Sequence, residues 1–175
     1  LQTISEGWAY PLTGFMNEMQ LLESMNMKTV TDANGKRHLL SVPITQHVTD
    51  EQKAAMEGKA AVALKCSAIH GDKVLAVMHK PTFFENRKEE ICARTFGCFS
   101  AKHPKAETII AQGNWLISAQ KTHFMTRITF NDGMDKYRFT PREIVEQIKE
   151  RNADAVYGFQ VRNPLHNGHV LLLKD

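Results

Sequence analysis

The chain has 175 residues, 42% of them hydrophobic, enough to bury one core and part of a second. Its formal charge of +3 is mild and interspersed with acids, which argues against a nucleic-acid surface, and no run approaches the roughly 20 apolar residues of a membrane span. Cys66, Cys92 and Cys98 are odd in number and lack Cys-x-x-Cys spacing, so free buried thiols are expected, with no zinc site. The start of the chain has no basic segment followed by an apolar core, so the reading is a soluble, cytoplasmic protein, with nuclear residence left open.

In chain order, Asn17 is placed to cap a helix reaching Met27, with Met19, Leu22 and Met25 or Asn26 at helical spacing. His38 to Val48, Ala60 to Ala68 and Val74 to His79 read as strands, the last two joined through His70-Gly71-Asp72-Lys73 as a hairpin. Asp50 to Glu57 reads as a short helix ended by Gly58. Phe84 to Phe96 reads as a helix stopping at Gly97, and Pro104 to Gln112 as one opened by proline. Trp115 to Ser118 and Phe124 to Phe130 read as strands. Trp8, Phe15, Phe83, Phe84 and Trp115 are expected as core or interface anchors. Arg87 and Arg94, on a helix of mixed charge, are expected at a surface or an interface. His38, His47, His70, His79, His103 and His123 are scattered and read as structural.

The pattern changes at Thr140-Pro141-Arg142-Glu143, where a cap, a proline at the first helical position and Glu143 announce a helix carrying Ile144, Val145 and Ile148. A helix over 141–152, a buried parallel strand over 154–160 and a helix from 167 make an α-β-α run, so the domain boundary is expected at 139/140.

Between that strand and the last helix runs Gln160-Val161-Arg162-Asn163-Pro164-Leu165-His166-Asn167-Gly168-His169. Pro164 turns the chain at the strand's carboxyl end, where open α/β sheets bind ligands. A helix start offers unpaired N–H groups to an anion, Arg162 adds a planar fork, and His166 and His169 share one helical face. Gly168 lets a ribose or base approach the backbone. This is the composition of a polyphosphate site.

The pattern Gln-x-Arg-Asn-Pro-x-His-Asn-Gly-His resembles the signature of ATP sulfurylase (sulfate adenylyltransferase), within the nucleotidyltransferases marked by a His-x-x-His or His-x-Gly-His turn. Gly7 to Met16, Leu40 to Ile44, Phe84 to Arg94, Gly113 to Ile117 and Asn131 to Arg138 are similar to other segments of that family. The likeness is greatest to the sulfurylase portion of animal bifunctional 3'-phosphoadenosine-5'-phosphosulfate synthetases. The resemblance implies an α+β chain: a β-rich PUA-like domain over 1–139, then over 140–175 the truncated start of a Rossmann-like α/β nucleotidyltransferase domain. The chain stops one or two turns into the last helix, so it reads as a fragment, inactive alone and lacking the family's downstream Gly-Arg-Asp segment.

The implied reaction is ATP plus sulfate giving adenosine 5'-phosphosulfate and pyrophosphate, a step of sulfate assimilation. The resemblance places sulfate on Gln160 and Arg162, and ATP on Asn163, His166, Gly168 and His169, with Arg162, Asn163, His166 and His169 catalytic. Mg2+ travels with the nucleotide and no residue of the chain is assigned to a metal. A homodimer and an adenylylsulfate kinase domain fused upstream are the implied partners, with no nucleic acid and no membrane. Two other classes compete: a metal-dependent hydrolase using the two histidines, which lacks the glutamate of His-Glu-x-x-His, and an RNA-binding PUA-like module, which lacks a basic stripe with interleaved aromatics.

Overall fold

The computed structural model describes residues 1–66 and 70–174, and the chain divides into two compact units, Leu1–Pro141 and Arg142–Asp175. The first contains helices α1 (Gln2–Ser5), α2 (Glu18–Met27), α3 (Asp50–Met56), α4 (Lys88–Phe96) and α5 (Pro104–Ile110). Its strands are β1 (Thr29–Thr31), β2 (Arg37–Leu39), β3 (Gln46–Val48), β4 (Ala61–Lys65), β5 (Val74–Glu85) and β6 (Trp115–Phe124). β1 and β2 form a two-stranded ladder, and the main sheet runs β3-β6-β5-β4, antiparallel throughout.

Successive residues of a strand point to opposite faces, so the register of β5 on β6 sorts the core. Phe83 lies opposite Ile117 and Phe84 opposite Leu116. Ile117 joins one apolar cluster with Ile4, Leu12, Phe15, Met16, Val30, Val48 and Met78, against which Phe83 packs. Leu116 joins the other with Leu21, Met25 and Ile91, against which Phe84 packs. The sheet is thus covered on both faces, by the N-terminal segment on one and by α2 and α4 on the other. Burying each aliphatic side chain of this size is worth about 1.5–3 kcal/mol, so these adjacent positions anchor both layers.

Pairing also overrides local preference. The helix expected from Phe84 starts at Lys88, because Phe84 and Glu85 continue the β5 ladder onto Leu116 and Trp115. Likewise β6 is one strand from Trp115 to Phe124, and no strand forms over 125–130: β5 begins at Val74, so among the described residues no strand ladder continues beyond Phe124, where Met125 N makes a last bond to Leu75 O. The strand expected over 38–48 is broken into β2 and β3 around Pro43. β4 stops at Lys65, and positions 67 and 68 of the expected strand lie outside the described residues. Its antiparallel pairing with β5 is as expected.

The caps behave as their sequences require. Asn17 accepts from Gln20 N at 2.9 Å, Thr49 accepts from Gln52 N at 3.2 Å, and α4 ends on Gly97 at φ +74°. The stripe of α2 is rotated from the expected one: Leu21, Ser24 and Met25 are buried while Met19 is 75% exposed. Ser24 is admitted to the core because its hydroxyl donates to Leu40 O at 2.7 Å. Trp8, expected as an anchor, is 53% exposed, its ring N–H donating to Glu6; Ala9 and Leu12 are the buried residues there. Cys92 is buried, which pushes its thiol pKa up, and Cys66 and Cys98 are half-buried, all three free.

Two polar devices join distant chain. The Lys88 ammonium donates to Ile110 O, to Gln112 O and to Asn114 Oδ1, closing the end of α5 onto α4. Beyond Phe124, Arg138 grips Asp132 at 2.6 and 2.7 Å and Asp135 at 2.7 Å while lying over the Phe130 ring. Asp135 accepts the Phe130 and Asn131 amides in turn, so ion pairs hold this segment where a ladder was expected.

The second unit holds α6 (Pro141–Glu150) and α7 (Asn167–Leu172). The strand expected over 154–160 is not formed, and Tyr157 is 94% exposed. A β-strand exists through ladder bonds to a neighbour, and none is offered to this segment among the described residues.

A Cβ on Gly113 would stand 2.1 Å from Val48 O, a backbone atom, so Gly113→Ala should destabilise the first unit by about 1–3 kcal/mol in urea unfolding; an unchanged midpoint contradicts the β3 contact. Hydrogen bonds from Arg138 hold the Asp132 carboxyl well below the usual range, and the bond from the Phe130 amide lowers that of Asp135. The network is therefore at full strength above a pH of about 4 and weakens as acid protonates both groups below it. Protection factors of the Phe130 and Asn131 amides should hold between pH 6 and about pH 4 and fall as the pH is lowered further, and Arg138→Ala should lower them at pH 6.

Candidate functional site

Within the second unit the expected site residues separate into two groups. Gln160, Arg162 and Asn163 lie on an exposed, irregular segment, with Arg162 and Asn163 in a bend ahead of Pro164. Among the described residues no hydrogen bond ties their side chains to the histidines. His166 and His169 are brought together: their rings stack with centroids 3.9 Å apart and planes at 24°.

Local chain geometry explains that stack. His166 is the N-cap of α7, in extended backbone at φ −118°, ψ 172°, so its side chain can fold back over the first turn. Its Nδ1 accepts the Gly168 N–H at 3.1 Å, and His169 Nδ1 accepts the His166 N–H at 3.5 Å. A Cβ on Gly168 would stand 3.1 Å from His166 Cε1 and 3.2 Å from Nδ1, so glycine makes room for the chain's own imidazole. The edge of Phe159 meets His169 with centroids 5.6 Å apart, which leaves His169 half-buried and His166 exposed. Phe159 was read from sequence only as an apolar strand residue; no periodicity signals an aromatic wall ten residues before the histidine. With six residues, α7 has a small dipole, so the side chains and first-turn amides carry whatever anion affinity this turn has.

Five of the other histidines serve the fold, while the buried His70 Nε2 has no hydrogen-bond partner among the described residues. His38 Nε2 sits 2.9 Å from Asp32 Oδ2, His47 Nδ1 accepts from Gly113 N, His103 Nδ1 accepts from Ala106 N, and His79 meets His123 edge-on. Arg87 is spent on Glu18 at 2.6 Å and on Glu90. A groove of about 970 Å³ in the first unit includes Asp50, Arg87, Lys88, Phe99 and Trp115 but no residue of the 160–169 motif. Its four carboxylates against two cations make it a poor seat for a polyanion. Among the described residues no three His, Cys, Asp or Glu side chains cluster as metal ligands, and no helix is long and apolar enough to cross a membrane.

An antiparallel sheet wrapped by short helices, followed by a paired-histidine turn, defines a two-part protein whose first part, residues 1–125, matches the family model of a PUA-like domain. Residues 135–175 match the model of ATP-sulfurylase. The chain belongs to the ATP sulfurylase family, contributing a PUA-like domain and the start of the sulfurylase domain. Over its whole length it is 40% identical to ATP sulfurylase 2 and 36% identical to ATP sulfurylase 4, chloroplastic, both of Arabidopsis thaliana. Over 98% of its length it is 31% identical to the sulfate adenylyltransferase of Allochromatium vinosum. It spans 36%, 37% and 42% of those relatives' lengths.

Amides of 154–160 in this chain should exchange near the rate of unstructured peptide, while those of Leu116 to Ser118, inside the β5–β6 ladder, are strongly protected. Comparable protection in the two segments would show that a strand forms at 154–160.

Proposed function

We propose that the chain works as part of a sulfate adenylyltransferase, in which sulfate attacks the α-phosphorus of ATP to give adenosine 5'-phosphosulfate and pyrophosphate. The observation that supports this most is the stacked His166–His169 pair inside the Gln160–His169 motif, within the residues that match the ATP-sulfurylase model.

The chemistry suits these side chains. A sulfate oxygen forms the new bond to the α-phosphorus as the bond to the bridging oxygen of the β-phosphate breaks, and the electron pair leaves on pyrophosphate. No proton must be removed from sulfate, so the task is to bring two anions together and stabilise charge on the leaving group. We assign sulfate to Gln160 and to the planar guanidinium of Arg162. Asn163, His166 and His169 are assigned to the ATP phosphates, with Gly168 beside them. The motif contains amide, guanidinium and imidazole groups but no carboxylate, a donor set that fits Mg2+ carried on the nucleotide and not caged by protein. Bound there, the ion would neutralise phosphate charge.

The same reading includes a boundary between the two domains near residue 139, a homodimer, and a fused adenylylsulfate kinase domain of the kind the resemblance implies. Three cysteines without a disulfide favour a reducing compartment, which we take to be the cytoplasm.

In the complete enzyme, Arg162→Ala should weaken sulfate-dependent pyrophosphate release while ATP binding is largely kept. Loss of a charge-assisted contact to a divalent anion costs about 1.5–3 kcal/mol, or roughly 10- to 150-fold in kcat/KM for sulfate. Arg162→Lys should recover only part, since a point charge cannot reproduce the fork. Near-normal sulfate saturation in Arg162→Ala would remove Arg162 from the sulfate site.

A further inference from the structure

We propose that the groove of about 970 Å³ beside α4 binds a basic peptide segment of a partner protein, its guanidinium groups held between carboxylates and aromatic walls. No residue assigned to ATP or sulfate lines this groove, so the site is separate from the reaction proposed above.

The groove's negative charge is not balanced from within. Arg87 reaches Glu18 at 2.6 Å and Glu90 at 3.7 Å, and the Lys88 ammonium is committed to Ile110 O, Gln112 O and Asn114 Oδ1. Asp50 accepts from Asn114 Nδ2 at 3.0 Å and from Trp115 Nε1 at 2.8 Å, two neutral donors that leave its charge intact. Glu85 and Glu89 are exposed and have no ion pair among the described residues.

The walls suit a delocalised cation. Register sets Glu85 directly opposite Trp115, which brings a carboxylate and an indole together on neighbouring strands, about 5 Å apart at Cβ. That indole already attracts a cation, since the Lys53 ammonium lies 4.7 Å from its ring centroid. Phe99, 47% exposed, adds a second ring. A planar guanidinium stacks on such a ring with its donors directed at flanking carboxylates.

Two buried atoms favour a peptide over a simple polyamine. Asn86 lines the groove at 5% exposure; its Nδ2 donates to Gly113 O at 2.8 Å, while its Oδ1 has no partner among the described residues. At the next position Arg87 Nε is a buried donor, also without a partner. An open acceptor beside an open donor matches a ligand that brings both N–H groups and carbonyl oxygens, and a protonated polyamine has donors alone. Both atoms are shut off from water in the free chain, so docking has to open the rim above them.

Binding is read from Trp115 fluorescence in the full chain carrying Trp8→Phe, which removes the other of its two tryptophans. The probes are an acetylated, amidated tri-arginine peptide and spermidine, which carry equal charge. The peptide should bind below about 1 mM and about tenfold more tightly than spermidine at the same ionic strength. Glu85→Gln combined with Glu89→Gln should weaken the peptide by about tenfold or more, whereas Asp72→Asn with Glu107→Gln, which removes the same charge outside the groove, should leave it unchanged. All four positions are exposed, and an unaltered circular dichroism spectrum confirms that each variant is folded. Spermidine binding as tightly as the peptide overturns the peptide assignment. Equal losses in the two double variants, or no fluorescence change up to about 1 mM peptide, overturn the site. A dimer of the free chain in sedimentation that Glu85→Gln with Glu89→Gln dissociates gives the groove to a second copy and overturns the partner.

Discussion

The antiparallel register of β5 on β6 is the constraint from which the first unit follows. By setting Phe83 against Ile117 and Phe84 against Leu116, it sends neighbouring residues into two separate cores. A slip of one residue would exchange the faces and place each cluster's anchor against the wrong layer. The N-terminal segment, α2 and α4 are held in place because each buries apolar surface against one face or the other. Even the edge strand β3 is registered through β6, with Val48 opposite Trp115 and its backbone close against Gly113.

Much of this was legible in the sequence where the signal is local. Helices capped by Asn17 and Thr49, stopped by Gly97 or opened by Pro104 end within a few residues of their expected bounds, because a cap or a left-handed glycine acts over one turn. What was not legible depends on partners far along the chain. Phe84 and Glu85 have helix-compatible neighbours but are claimed by β6, and 124–130 has strand-like composition but no strand to pair with. Ser24 took a core position that hydrophobic spacing would deny it, because Leu40 O needed a donor.

The 160–169 motif shows the same division at the level of chemistry. Which residue types stand there, and that two histidines share a helix start, could be read directly from their spacing. Their use of Nδ1 as acceptors, and the dependence of that arrangement on a missing Cβ at Gly168, arise only from coordinates. The strand expected just before them illustrates why apolar composition is not enough. Val156, Tyr157 and Phe159 favour β structure, yet without a ladder they remain on the surface as irregular chain.

The engagement of Lys88 has a consequence for chemical modification. Its amine is committed to two carbonyl oxygens and an amide oxygen at the junction of α4 and α5, with no lone pair to offer while it remains charged. Acetylating enzymes and amine-directed reagents should therefore pass over it in the native protein while marking exposed lysines such as Lys59, and its labelling would report the parting of those two helices.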